Sequence, residues 1–220
     1  MTVIEFNFND DWMGEISRRL GDLNDKTPDV ISQATNSTAR KARKLIVQSL
    51  REHYAEDAKT KEYNAAMKIA RASRKKYDAT IYIRGKVQNL RRFNVSPIDP
   101  PASGSSRPPT TRAQVLLQGG LKELNKGGIK AFITTFKNGD VVVAQRNGSF
   151  YTYHRPTGGI DRHHEAIDKL WSISIPKMAE SQLDPKTVRG NMRDTIQAIL
   201  VEEIEKQIAR QLAKHGGNAG

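Results

Sequence analysis

The chain has 220 residues, of which 37% are hydrophobic, and its mean hydropathy is −0.64. A chain of this length forms one ordinary domain or one domain with a helical extension. Its low hydrophobicity is more typical of a subunit that buries further surface against copies of itself than of a compact monomeric enzyme. Cysteine is absent, which excludes disulfides and sulfur-based catalytic or zinc sites. The formal net charge of +12 favours polyanionic partners. No apolar run approaches the roughly 20 residues that a membrane-spanning helix needs.

Residues 1–29 form an acidic segment with three basic and seven acidic side chains. Two sets of apolar residues, spaced by two and then by four positions, predict a short strand followed by a short helix: Ile4, Phe6 and Phe8, then Trp12, Ile16 and Leu20. Thr27 and Pro28 are predicted to be the N-cap and the first position of a long amphipathic helix. The apolar periodicity extends this helix to about Tyr54.

Residues 30–95 are predicted to be a basic helical region with one strand. After the long helix, a weaker face of small and apolar residues predicts a second helix from about Lys59 to Lys76. The alternating, β-branched stretch Ala79–Ile83 predicts the strand, which Gly85 closes.

Residues 96–112 contain five prolines and four serines and are predicted to be a long exposed loop, because proline interrupts helices and central strands. Residues 113–178 are predicted to hold the sheet and a further loop. Three strands are predicted within this interval, at 113–117, 130–136 and 141–145. Asn138 and Gly139 lie between the last two strands and indicate a tight hairpin turn. A polar loop is predicted at 147–164.

The C-terminal segment 184–214 carries the clearest helix pattern. Asp184 and Pro185 are predicted to be its N-cap and first-turn proline, and Gly216 ends it. Its apolar residues recur mostly at spacings of three or four: Val188, Met192, Ile196, Ile199, Leu200, Ile204, Ile208 and Leu212. The predicted fold class is α+β, one small antiparallel β-sheet with long N-terminal and C-terminal amphipathic helices, and residues 27–214 are predicted to form one domain.

No constellation of residues indicates catalysis or metal binding. The pair His163-His164 invites a metal interpretation, but adjacent side chains on a strand or helix point apart, and no HExxH spacing occurs. Glycine-rich phosphate loops and the GxSxG nucleophile motif are also absent from the sequence. We therefore expect no enzyme activity, no cofactor and no metal. We interpret Glu202, Glu203 and Glu205 as part of a solvated, ion-paired helix face.

The positive charge is concentrated in residues 30–92, which hold sixteen basic and five acidic side chains, a net charge of +11. Such a concentration favours contact with the phosphates of nucleic acid, and the alternative is a solvated face that only keeps the protein soluble. Eight side chains are predicted to form the DNA-facing surface: Arg40, Lys41, Arg43, Lys44, Arg71, Arg74, Lys75 and Lys76.

The hairpin region resembles the minor tail protein Z family of lambda-like siphophages. The core signature of that family is similar to four short motifs of this sequence: Ala131-Phe132-Ile133, Lys137-Asn138-Gly139, Val143 and Gln145-Arg146. The apolar stretch 167–178, which contains Pro176 and Met178, and the closing helix are similar as well. The resemblance covers roughly residues 30–213, and the acidic segment 1–29 is expected to have no counterpart in it.

The resemblance implies a structural virion protein, added when tail assembly finishes, at the head-proximal end of the tail near the neck. It further implies a homo-oligomeric ring, commonly sixfold, that contacts neck and tail-tube proteins and passes genomic DNA through its lumen without sequence readout. The protein would be assembled in the host cytoplasm and have no membrane partner. The alternative is a non-catalytic, sequence-independent DNA-binding protein of the packaging or nucleoid type, which explains the charge but not the hairpin signature.

Overall fold

The computed structural model describes residues 1–6, 10–57, 59–102, 109–153, 162–184 and 192–216. The chain divides into two compact units, and each unit combines separate stretches of the sequence. Unit 1 comprises Met1–Leu50, Lys59–Lys86 and Ser174–Gly220, and unit 2 comprises Arg51–Ala58 and Val87–Ile173.

The α-helices of the described residues are α1 (Asp10–Leu20), α2 (Thr27–His53), α3 (Thr60–Ala66), α4 (Ile175–Leu183) and α5 (Met192–Gly216). A 3-10 turn, Gly21–Lys26, joins α1 directly to α2. Thr27 is therefore already helical (φ −50°, ψ −47°) and its N–H donates to the carbonyl of Asn24. The prediction of Thr27 as an N-cap is wrong, because the preceding turn already supplies an acceptor. None of these helices combines the length and the apolar character that a membrane crossing needs.

The strands form several small sheets rather than the single sheet predicted from the sequence. The strands are β1 (Thr2–Phe6), β2 (Met67–Ala70), β3 (Ala79–Ile83), β4 (Val87–Asn89), β5 (Asn94–Ser96), β6 (Arg112–Gln114), β7 (Lys122–Glu123), β8 (Asn125–Lys126), β9 (Ile129–Lys130), β10 (Phe132–Thr135), β11 (Val141–Tyr153), β12 (Arg162–Lys169) and β13 (Trp171–Ser174). The sheet orders are β1-β3-β2, β10-β11-β12, β5-β6-β7, β13-β4 and β8-β9.

Unit 1 contains a helical core and the antiparallel sheet β1-β3-β2. The predicted first strand and first helix are confirmed as β1 and α1, although Phe8 lies outside the described residues. Residues of α1, α2 and α5 share one buried cluster: Ile16, Leu20, Val30, Ile31, Ala34, Ile204 and Ile208. The long C-terminal helix therefore finds the apolar partner that its length requires in the first long helix and in α1.

Two helix predictions in unit 1 are wrong in part. The predicted second helix ends at Ala66, and Met67–Ala70 instead becomes β2, which pairs antiparallel with β3. The hydrogen bonds between β2 and β3 and the burial of Met67 outweigh the weak helical pattern of this stretch. The interval 30–95 therefore holds more than the one predicted strand. Asp184 caps the end of α4, where its N–H donates to the carbonyl of Glu180 at 3.0 Å, rather than the start of α5. Residues 185–191 lie outside the described residues.

Unit 2 contains the predicted hairpin, which is confirmed as β10 and β11. The N–H of Phe136 donates to the carbonyl of Asp140 (2.8 Å), and the N–H of Gly139 donates to the carbonyl of Phe136 (2.9 Å). Gly139 has a φ of +84°, and no described residue other than glycine has a positive φ. This pattern is that of a three-residue loop that closes on a left-handed glycine, rather than of a two-residue turn.

The polar loop predicted at 147–164 is wrong for its described part. Strand β11 continues to Tyr153 and pairs antiparallel with β12, with Phe150 opposite Glu165 and Tyr151 opposite His164. Aromatic and β-branched side chains favour a strand even where both faces are exposed. Residues 154–161 lie outside the described residues.

The proline-rich loop predicted at 96–112 is correct only near its start, where Ile98 is 64% exposed. Residues 103–108 lie outside the described residues. Thr111 is fully buried, and its N–H donates to the carbonyl of Ala131 at 2.9 Å. The chain therefore re-enters the core of unit 2 before residue 112, and the strand predicted at 113–117 is shortened to β6.

Candidate nucleic-acid interface

Four of the predicted DNA-facing side chains lie on the loop 71–76, which connects β2 to β3 in unit 1. Reciprocal backbone bonds between Ser73 and Lys76, at 2.6 and 3.2 Å, close this loop into a tight turn. Arg71, Lys75 and Lys76 are exposed on it. The loop therefore presents cations from a turn between two strands, not from the end of a helix as the sequence predicted.

Asn36 of α2 holds this loop in place. Its Nδ2 donates to the carbonyl of Ala72 at 3.0 Å, and its Oδ1 accepts the N–H of the same residue at 2.9 Å. A side-chain amide has one acceptor and one donor group, so it satisfies both backbone groups of Ala72, which is itself buried. The basic loop is thereby fixed against the helix.

Arg74 provides a second attachment, because its guanidinium is ion-paired with Asp29 at the start of α2. The hydrogen bond from Arg74 lowers the pKa of Asp29 despite its partial burial, and the charges of Lys26 and Lys214 lower it further. Lys26 and Lys214 come from the 3-10 turn and from the end of α5. Lys26 is close to Asp29 in the sequence, whereas the influence of Lys214 depends on the packing of α5 and could not be predicted from the sequence.

Arg40 and Lys44 extend the same surface along α2. They follow Asn36 by four and eight positions, so they lie on its face of the helix, about 6 and 12 Å further along the axis. Both side chains are exposed, and Arg40 donates to Ser37 Oγ at 3.2 Å. We define the basic surface by five of the predicted residues: Arg40, Lys44, Arg71, Lys75 and Lys76. Arg43 is half-buried.

Lys41 faces α5 rather than this surface. Its Nζ lies 2.7 Å from Glu203 and 3.6 Å from Glu202, and the Glu203 side chain is only 4% exposed. Glu205 is paired across elements as well, with Arg19 of α1 at 2.5 Å. The interpretation of these glutamates as a solvated face is therefore wrong for Glu203, because α5 packs against helices whose basic residues meet its acidic ones.

The histidine pair lies in a strand of unit 2. His163 and His164 are consecutive in β12, and the ring of His164 stacks on Tyr151 with 5.7 Å between centroids. In the described part of the chain, no three histidine, aspartate or glutamate side chains lie together in a way that could hold a metal ion.

Replacing Asn36 with alanine should loosen the basic loop at Ala72 without unfolding unit 1. The variant loses two hydrogen bonds, each worth about 0.5–1.5 kcal/mol, so we expect the free energy of unfolding to fall by about 1–3 kcal/mol. Hydrogen exchange should show a faster-exchanging Ala72 amide. The matched control is Gln33→Ala on an exposed position of the same helix, which should change neither quantity. An unchanged Ala72 exchange rate in Asn36→Ala would show that the clamp does not hold the loop.

The sequence model of the family described as prophage minor tail protein Z (GPZ) matches residues 15–215. Comparisons with curated proteins and with solved structures give no significant match. The family match begins within α1, so the expectation that residues 1–29 have no counterpart is wrong from residue 15 onward. Because the match covers nearly the whole chain, the resemblance of the hairpin region is confirmed, and the chain belongs to the prophage minor tail protein Z family.

Proposed function

We propose that the chain is a non-catalytic structural protein that completes a siphophage tail at its head-proximal end. In this proposal, copies of the chain form a closed ring, commonly sixfold in the proteins that it resembles, which joins the tail to the neck. Genomic DNA passes through the ring. The protein acts in the virion, after assembly in the host cytoplasm, and contacts neck and tail-tube proteins.

The observation that carries this proposal is the fixed basic surface on a member of a tail protein family. Lysine and arginine side chains bind phosphates through charge and carry no sequence information by themselves. Because every sequence of the genome would pass through the lumen of a ring, contacts there have to be of this sequence-independent kind. The clamp by Asn36 and the Asp29–Arg74 pair hold the loop cations in place before DNA arrives.

The same surface would also suit a free, sequence-independent DNA-binding protein of the packaging or nucleoid type. The two functions differ in the contacts that would retain the protein in a phage particle. A ring component is held by protein contacts, whereas a free DNA-binding protein is held by phosphate contacts that weaken steeply with salt.

Purified phage particles distinguish the two functions. We expect quantitative mass spectrometry to find the chain in a small, constant copy number per particle, unchanged after a wash at about 1 M salt, where charge interactions are screened within about 3 Å. A basic host DNA-binding protein added to the lysate serves as the control and should be lost in the wash. Loss of the chain in the wash would favour the free DNA-binding protein, and its absence from unwashed particles would contradict a virion role.

A further inference from the structure

Strands β11 and β12 of unit 2 continue beyond their sheet as a two-stranded ribbon. Within the described residues β10 pairs with β11 only from Val141 to Ala144, whereas β12 pairs with β11 as far as Tyr153. A two-stranded ribbon without a covering layer is only marginally stable in water. A ribbon of this kind gains stability when a partner covers it.

Each face of the ribbon carries an exposed aromatic ring. Phe150 is 69% exposed and Tyr151 is 55% exposed. Successive side chains of a strand point to opposite faces, so the two rings lie on opposite sides of the ribbon. Singly exposed aromatic residues are ordinary, so the two rings become informative only together with the hollow that lies beside one of them.

A shallow hollow of about 630 Å³ lies beside Tyr151. It is lined by residues of β10, β11 and β12 and of the hairpin turn, chiefly Thr134, Thr135, Phe136, Tyr151, Ala166 and Ile167. Its size is within the range of pockets that receive whole small ligands, so a phenyl ring fits. The same chain therefore carries both a projecting ring, Phe150, and a hollow that can receive one.

Among the described side chains of β11 and β12, two basic residues are matched in number by two acidic ones: Arg146 and Lys169, Glu165 and Asp168. Arg146 lies 3.2 Å from Glu165, and Asn147 Nδ2 donates to Asp168 Oδ1 at 3.2 Å. Two copies of a chain with a net charge of +12 repel each other, so they approach most easily where local charges are balanced. Balanced charges and aromatic rings also suit a protein partner better than a polyanion.

We infer that the ribbon is the contact between copies of this chain, with Phe150 of one copy inserted into the hollow beside Tyr151 of the next. The projecting phenyl ring and the hollow are different surfaces, so the contact between two copies is head-to-tail. Repetition of a head-to-tail contact builds a closed oligomeric ring when the rotation between successive copies closes on itself. This inference rests on the self-assembly in the proposed function and names the surface that carries it.

Two single variants and their mixture test the contact. Phe150→Ser removes the projecting ring, and Thr135→Arg fills the hollow from an exposed position. Each alone should weaken self-association about tenfold or more, as truncation of a central aromatic anchor does. In an equimolar mixture, the intact Phe150 side chain of the Thr135→Arg variant can enter the intact hollow of the Phe150→Ser variant. Pairs of the two variants should therefore form, but longer assemblies should not, because each chain has only one intact surface. Leu121→Ser, at an exposed apolar residue of the same unit, is the control and should associate as the wild type does.

Photo-cross-linking in the full chain and in phage particles gives the deciding result. A benzophenone amino acid in place of Phe150 should link two copies of the chain, with the adduct on a peptide from 134–136 or 164–167. Adducts only with another tail protein, or no adduct in either sample, would overturn the inference. Particles that contain the chain but lack this adduct leave the proposed function intact. A copy-to-copy adduct from a chain that particles lack would instead contradict the proposed function alone.

Discussion

Reversing the charge of three loop residues, with Arg71, Lys75 and Lys76 changed to glutamate, should weaken binding of the purified chain to duplex DNA about tenfold to a hundredfold. All three side chains are exposed, and the loop that carries them is fixed to α2. Each lost phosphate contact lowers the slope of log K against log salt by about 0.9. We therefore expect a slope reduced by up to about 3, measured by fluorescence anisotropy over a salt series.

The control for this experiment changes charge equally on unit 2. Lys122, Lys130 and Lys137 are exposed there, and their replacement by glutamate removes the same amount of positive charge. If the basic surface binds phosphates, the control retains most of the affinity of the wild type. An equal loss in the control would mean that net charge alone governs binding, which contradicts a defined surface. In phage, tails that assemble with the loop variant but fail to retain DNA would place the loop in the lumen.

Replacing Lys41 with methionine should destabilise the fold, by less than the loss of a fully buried ion pair would. The change leaves Glu203 buried and without its nearest cation. Breaking a fully buried ion pair costs about 3–5 kcal/mol, but the Lys41 side chain is 43% exposed, so solvent already screens part of the interaction. Urea unfolding measures the difference, and adding Glu203→Gln should recover most of the loss because the uncompensated charge is gone.

The pH dependence of this variant follows from Glu203. Burial by itself would raise the pKa of Glu203, but the hydrogen bond and charge of Lys41 outweigh it and hold the pKa below its ordinary value of 4.5. A carboxyl group with a lowered pKa stabilises the fold above that ordinary value, and the contribution is lost as pH falls through the folded pKa. In Lys41→Met the unopposed burial raises the pKa of Glu203, so the stability gap between wild type and variant should begin to narrow above pH 4.5 and go on narrowing as pH falls through the lowered pKa of the wild type.

The control for Lys41 is Lys44→Met, three positions further along α2. Lys44 is exposed and belongs to the basic surface, so its removal should change stability by no more than about 0.5 kcal/mol. It should weaken DNA binding instead. The opposite result, with Lys44 important for stability and Lys41 for DNA binding, would contradict the division of the predicted cations that the structure makes.

Local sequence signals predicted the elements whose stability is mainly local. The helical periodicity of α2 and α5 matches their buried faces, and Asn138 and Gly139 mark the hairpin, whose turn needs a left-handed residue. The strand Ala79–Ile83 was also predictable, since its β-branched alternation suits a sheet. In each case the residues that decide the structure are neighbours in the sequence.

Features that depend on distant contacts were not predictable from the sequence. The clamp joins Asn36 to Ala72, and the pair that neutralises Lys41 reaches Glu203. From the sequence alone, Lys41 and Arg74 were indistinguishable from the exposed cations beside them. Lys41 and Arg74 form ion pairs that hold the fold because α5 and the loop 71–76 pack against α2, whereas the cations of the basic surface stay exposed. The strand β2 and the ribbon were missed for the same reason, because a partner strand overrides weak local patterns.

Cryo-electron microscopy of the phage neck can locate this chain in the particle. We expect density for the chain as a closed ring at the head-proximal end of the tail, with the loop 71–76 and Arg40 of α2 facing the DNA in the lumen. A ring built from other proteins at that position, with this chain elsewhere in the particle or missing from it, would contradict the proposed function.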